Sequence, residues 1–185
     1  HFSKVVTNFI GGVAEDIGVF PVDHPAARAL GSKPLKEESA VNLSAGLAWS
    51  PLENVTLTAD VFRIKFKDRI ILGATFDDDT TRAILVSAGF ADIAGVQYFT
   101  NGLDTKTQGI DLTADWKVSA RRGRTVGITG SVNYTKNEIT RVDPLPTVLQ
   151  NSAETGLLDG VTRVAIEEER PDWRGTLATE YSAGA

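Results

Sequence analysis

The sequence predicts an all-β chain: an antiparallel meander of about five long strands from a transmembrane β-barrel, with long loops and one or two short helices. Three observations predict it. Several runs alternate with period two. In the clearest, Ile110, Leu112, Ala114, Trp116 and Val118 share one face, and Asp111, Thr113, Asp115 and Lys117 share the other. That is a strand with one apolar and one wet side. The runs are also long, about 10 residues or more, enough for the roughly 9–11 that a tilted strand needs to cross a bilayer. Sandwich strands are usually about 5–6 residues. Finally, the connections alternate: short at 50–54 and 120–123, long at 69–106 and 139–169. Tight turns then share one end of the sheet and long loops the other, the layout of outer-membrane barrels.

Residues 1–34 read as a loop, because Gly11-Gly12, Pro21, Pro25, Gly31 and Pro34 interrupt any long element. Within it, Asp23 or His24 can start a short helix that Gly31 closes. Residues 35–138 hold strands one to four. Strand one spans about Ser39 to Trp49, with Val41, Leu43, Ala45, Leu47 and Trp49 on one face. Strand two spans about Val55 to Asp68. Its apolar set is Val55, Leu57, Ala59 and Val61, then changes parity to Phe62, Ile64 and Phe66. Either a bulge re-aims the side chains or the strand passes from one environment to another.

In the first long connection, Asp77-Asp78-Asp79 can cap a helix over about 81–91. Gly95 to Thr100 reads as a short strand, and Asn101-Gly102 as a turn, since both residues tolerate positive φ. Strand three follows over about 107–119. Ala120-Arg121-Arg122-Gly123 is a short turn, and strand four covers about 124–138. Residues 139–169 form the second long loop, ending in the acidic run Glu167-Glu168-Glu169. Residues 170–185 begin strand five. Aromatics sit near the strand ends (Trp49, Phe62, Phe66, Trp116, Tyr134, Trp173, Tyr181), as interfacial girdles would place them.

Composition narrows the function. Hydrophobic residues are 42% of the 185, mean hydropathy is -0.08, and no run approaches the roughly 18 apolar residues of a spanning helix. A strand-built membrane protein escapes that test, because alternation halves its apolar content. The net charge of -5 argues against nucleic acid as a partner. With no cysteine there is no disulfide, thiolate metal site or cysteine nucleophile.

Three stretches carry a family resemblance. Leu35-Lys36-Glu37-Glu38-Ser39-Ala40-Val41-Asn42 resembles the "LKPE-S-N" lead into a late barrel strand of TonB-dependent outer-membrane receptors, with Glu37 where proline is usual. Asp60 to Ile70 resembles the next strand, an acidic residue and an aromatic followed by "I-x-x-x-D-x-I". Phe99 to Leu112 resembles the one after, where a small-residue turn leads to "T-x-G-[IV]-[DE]-L". The resemblance runs from about Phe20 to the end and implies a partial receptor barrel domain over 1–185, from the later part of a barrel of twenty-two strands, with the plug domain absent. It implies uptake of a scarce nutrient such as a ferric siderophore, energised by TonB acting through the plug, with no covalent chemistry and no cofactor. The partners it implies are TonB, a small-molecule nutrient and outer-membrane lipid. The long loops would then be the ligand side.

Catalysis finds little support. The only histidines are His1 and His24, so no Ser/His/Asp set is available. His24 reads as a loop residue. Asp77, Asp78 and Asp79 could hold a hard cation through carboxylate oxygens, but they lack the spacing of an EF-hand loop, and a helix cap is the simpler reading. Glu167, Glu168 and Glu169 read as a solvated run or as negative charge at a barrel mouth. These six are the ligand-side loop candidates, and no metal site is expected. The rival to the barrel reading is a soluble β-rich module that binds carbohydrate or protein. The two differ in what covers Leu112, Ala114, Trp116 and Val118: lipid in one case, an opposing sheet in the other.

Overall fold

β-Strands dominate the computed structural model, which describes residues 4–10, 13–120, 123–154 and 156–183. They are β1 (Lys4–Ile10), β2 (Val13–Phe20), β3 (Ser39–Leu52), β4 (Val55–Leu72), β5 (Gly95–Ala120), β6 (Arg124–Val142) and β7 (Trp173–Ser182). Three helices, α1 (Pro25–Ala29), α2 (Asp79–Ser87) and α3 (Gly160–Glu167), and a 3-10 turn at Thr147–Leu149 lie between them. The sheet runs β1-β2-β5-β4-β3, and β6 pairs with both β5 and β7. The all-β class and the long meander hold.

Four features differ from the sequence reading. Residues 1–34 are not all loop: β1 and β2 pair antiparallel from Lys4↔Val19 to Ile10↔Val13. The Gly11-Gly12 break between them lies outside the described residues, as do Arg121 and Arg122 of the expected turn at 120–123. Seven strands are described where about five were expected. The meander is not wholly antiparallel, since β2 runs parallel to β5 from Ile17↔Gly95 to Phe20↔Tyr98. Lastly, β5 is one strand of 26 residues that passes straight through Asn101-Gly102. The Asn101 amide finds other partners instead of a turn. Its Nδ2 donates to Lys36 C=O at 3.0 Å and to Asp68 C=O at 2.6 Å, and its Oδ1 accepts from Lys36 N–H at 2.7 Å. Gly102 leaves room for Leu157, whose Cδ1 would stand 3.3 Å from an added Cβ.

The described chain forms two compact units. The first, built from residues 1–39, 66–105 and 139–164, holds the core. Phe20, Leu30, Phe76, Leu85, Val96, Tyr98, Leu149 and Leu157 are all buried there. Helix ends fold as the sequence says they should. His24 caps α1, its Nδ1 accepting from Ala26 N–H at 3.2 Å, and Pro25 follows at the first helical position. His24 also stacks on Phe20 with ring centroids 4.0 Å apart, so it is a packed cap. Gly31, at φ +86°, ends α1: Gly31 N–H bonds Arg28 C=O and Ser32 N–H bonds Ala27 C=O, the paired bonds of a left-handed helix stop.

The second unit comprises residues 40–65, 106–138 and 165–185. It is the sheet of alternating strands. Here the parity change in β4 is resolved. Lys117 N–H bonds Asn54 C=O near one end of the β4–β5 pair, and Gly73 N–H bonds Tyr98 C=O at the other. The same number of residues separates the two pairings on each strand, so no net residue is inserted. Register is kept across the change, and past Val61 the apolar residues Phe62, Ile64 and Phe66 lie on the better covered face, with Arg63 and Lys65 exposed on the other. At that level Gly109 lies beneath the Phe62 ring and against the Tyr134 carbonyl. An added Cβ would come within 2.5 Å of Phe62 Cζ. An aromatic ring covering a strand glycine in this way helps to pin register.

Candidate functional site: an apolar sheet face and a loop assembly

In the second unit the exposure pattern is inside out for a chain in water. All the buried hydrophobic residues described belong to the first unit. The sheet instead leaves its apolar face bare: Leu43 is 71% exposed, Leu47 70% and Leu177 76%. Ile110, Leu112, Trp116, Val132, Trp173 and Tyr181 are exposed as well. On the opposite face Asp111, Asp115, Thr129 and Asn133 are half-buried, and its polar side chains bond one another. Thr129 Oγ1 donates to Asp115 at 2.6 Å, Asn133 Nδ2 donates to Asp111, Arg174 donates to Asn133 at 2.9 Å, and Thr107 donates to Asn137 at 2.7 Å. Apolar side chains so placed need a solvent other than water. The register aligns the belt across strands. Val132 pairs with Gly175, Gly130 with Leu177 and Tyr134 with Trp173, and the last two rings lie 4.8 Å apart. Tyr134–Trp173 edges the belt at one end, while Trp49, Trp116 and Tyr181 stand toward the other.

The first unit is built from the long connections. Of the acidic triplet, Asp78 has a defined task. It caps α2, accepting from Thr81 N–H at 2.8 Å, and its other oxygen accepts from Ala153 N–H. Thr80 Oγ1 adds a bond to Asn151 C=O at 3.2 Å. One carboxylate thus joins two loops far apart in sequence. Burial pushes Asp78 up, but these hydrogen bonds outweigh it and hold the pKa at about 2. Asp79 lies exposed in the first turn of α2, and Asp77 stands beside Gly95. A second cap escaped the sequence reading. Asp159 accepts from Thr162 N–H at 2.7 Å at the start of α3, and the Asp-x-x-Thr spacing was the available signal. Glu154 is raised by its own burial first, then by Asp77, Asp78 and Asp159, so four carboxylates share one neighbourhood. Among the described residues no group of three or more acidic or histidine side chains converges to hold a metal ion.

The cap carries a pH prediction. A carboxylate depressed to about 2 stabilises the fold above its ordinary range and stops doing so as pH falls through about 2. Asp78→Ala is expected to weaken protection of the 151–153 segment by about 1–2 kcal/mol at neutral pH. Amide hydrogen exchange should show that gap between variant and wild type narrowing from about pH 4 to about pH 2.

Glu167 ends α3, and Glu168 and Glu169 follow it exposed. They belong to the second unit and the Asp triplet to the first, so the six candidates do not make one cluster within either unit. What the sequence did not single out is a cleft of about 510 Å³ in the first unit. Lys33, Thr100, Asp143 and Gln150 supply its polar edge, with Tyr98, Leu145 and Leu157 below. Burial pushes the Tyr98 phenol up to about 12, and its hydroxyl donates to Leu30 C=O at 3.3 Å. The cleft offers a cation, a carboxylate, hydroxyl and amide groups and an apolar floor, a lining suited to a small molecule.

Beside it, Arg141 gathers three carboxylates. Its guanidinium grips Asp104 at 2.9 and 3.0 Å and reaches Asp68 at 2.9 Å and Asp143 at 2.6 Å. Arg141 holds Asp104 below its ordinary range. Asp68 sits at φ +54°, a left-handed conformation that an aspartate tolerates better than most residues. Asp68 and Glu38, both in the stretches singled out from sequence, thereby acquire structural work: Glu38 accepts from Ile70 N–H. No helix among the described residues is long and apolar enough to cross a membrane. The family model described as "TonB dependent receptor-like, beta-barrel" matches residues 7–185. No curated protein matches the chain.

Proposed function

The chain belongs to the TonB-dependent receptor family, in its β-barrel part, and on that premise we propose that it forms wall strands and outer loops of a receptor that imports a scarce nutrient, such as a ferric siderophore, across the outer membrane of a Gram-negative bacterium. TonB supplies the energy by acting on the plug of the full receptor, and no covalent chemistry is involved. The observation that carries this reading is the bare apolar face of the second unit, set against a hydrogen-bonded polar face. A soluble binding module would bury Leu43, Leu112, Trp116 and Leu177 against a second layer. The loop assembly with its cleft is the nutrient side. Asp77, Asp78, Asp79, Glu167, Glu168 and Glu169, on the long connections, would shape the field met by an incoming ligand.

The test uses the receptor in vesicles whose acyl chains carry bromine. All three tryptophans, Trp49, Trp116 and Trp173, lie in the second unit, and all three are exposed. Their fluorescence should be strongly quenched, and a strain lacking the receptor should fail to grow on one ferric siderophore as iron source. Unquenched tryptophans would overturn the membrane reading. Normal growth on every siderophore offered would overturn the cargo.

A further inference from the structure

The outer face of the sheet changes character at one level, and the change is abrupt. On β4, Val55, Leu57, Ala59 and Val61 are followed on the same face by Arg63 and Lys65. On β5, going back from Trp116 through Leu112 and Ile110, the same face continues with Gln108 and Lys106. On β6, Val132 and Tyr134 are followed by Lys136 and Glu138. Contact of Phe62 with Gly109 and of Gly109 with Tyr134 shows that the three strands switch side by side. Arg63, Lys65 and Lys136 are exposed. Lys106 pairs with Glu138 at 2.5 Å, and Arg63 and Lys136 act on that same carboxylate. Three cations thus act on one anion, and Lys65 stands exposed on the same face, in a chain whose net charge is -5. The excess is local and positive, and it borders the belt on the side where β4 and β6 run on toward the long loops.

We propose that this row is a binding site for the phosphate of a membrane lipid headgroup. Arg63 lines a single groove of about 410 Å³ with Leu43, Val61, Ile110 and Tyr134. One end of the groove suits an acyl chain and the other suits an anion. Arginine offers phosphate a fork of donors, and lysines on long stems reach up from an apolar surface to the headgroup layer. Free phosphate would leave the apolar half of the groove empty, so the occupant is the lipid. The inference rests on the membrane reading of the sheet.

The experiment compares the full receptor with its Arg63→Ala/Lys65→Ala/Lys136→Ala variant. Both are placed in phosphatidylcholine vesicles containing a little diphosphorylated glycolipid, and retained lipid is counted by native mass spectrometry. Basic residues near a membrane surface are worth about 1 kcal/mol each, so the variant should hold the glycolipid roughly a hundredfold less tightly. The Arg63→Lys/Lys65→Arg/Lys136→Arg variant should retain it, and inorganic phosphate should not displace it. Equal retention by wild type and alanine variant, with tryptophan quenching by brominated chains intact in both, would overturn the site. Displacement by inorganic phosphate would overturn the lipid assignment. Loss of quenching in wild type would overturn the membrane reading beneath it, an outcome distinct from the other two.

Discussion

Leu112→Arg is expected to destabilise the receptor in a bilayer by about 2–4 kcal/mol. Leu112 sits in the middle of the bare belt, between Ile110 and Ala114, and is 48% exposed in the chain alone. By the usual rule for soluble proteins, a charge at so exposed a position costs within about 0.5 kcal/mol. The two expectations differ because the exposed side chain meets hydrocarbon, where an arginine head must thin the bilayer or draw in water. Thr113→Arg, one residue on, faces the hydrogen-bonded polar side and should cost far less. Urea unfolding in vesicles, followed by tryptophan fluorescence, measures both. A small and equal cost at the two positions would mean that the belt does not touch lipid.

Phe76→Ala acts on the other unit and should cost about 3–5 kcal/mol. Phe76 is fully buried, stacks on Tyr98 at 5.8 Å and packs in the cluster with Leu85, Val96 and Leu149. Its neighbours come from three separate stretches of chain, so collapse around the missing ring is poorly supported and a cavity should remain. Loops seldom have that much stability to lose. Residues around α2 and the Thr147–Leu149 turn should therefore become open to hydrogen exchange and protease. The tryptophans all lie in the second unit and should keep their fluorescence. The loss of nutrient binding would follow from the loss of the cleft.

What the sequence could and could not reveal divides along physical lines. Alternation in Ile110–Val118 is a local signal whose meaning depends only on neighbours two residues apart, and β5 follows it. Helix stops are local too. His24-Pro25 and Gly31 bracket α1, and Asp78 caps α2. The hidden part was non-local. β1 and β2 carry no long alternating run, and β2 gains its partner from residues 95–98. Asn101-Gly102 has the composition of a turn, yet Lys36 and Asp68 consume the amide that a turn would have used. The core of the loop assembly is drawn from Phe20, Leu30, Phe76, Leu149 and Leu157, which share no period. The cleft beside it was therefore invisible, and attention fell on the acidic runs instead. The parity change in β4 was visible but ambiguous, and only the equal spacing of its pairings with β5 showed that no net residue is inserted there.

The parallel alignment of Ile17–Phe20 with Gly95–Tyr98 has a consequence in time. Antiparallel neighbours joined by a short connection, β3 with β4 and β5 with β6, can zip from it, closing a small ring of chain at each step. The parallel pair has no turn to start from. It must bring together segments separated by all of β3 and β4, and the entropic cost of so large a ring is met only after the intervening strands have shortened it. The outer assembly should therefore be the last part of this chain to acquire its native order during biogenesis. Until then, the unpaired edge of β2 is the segment most open to capture by a chaperone or by a second nascent copy.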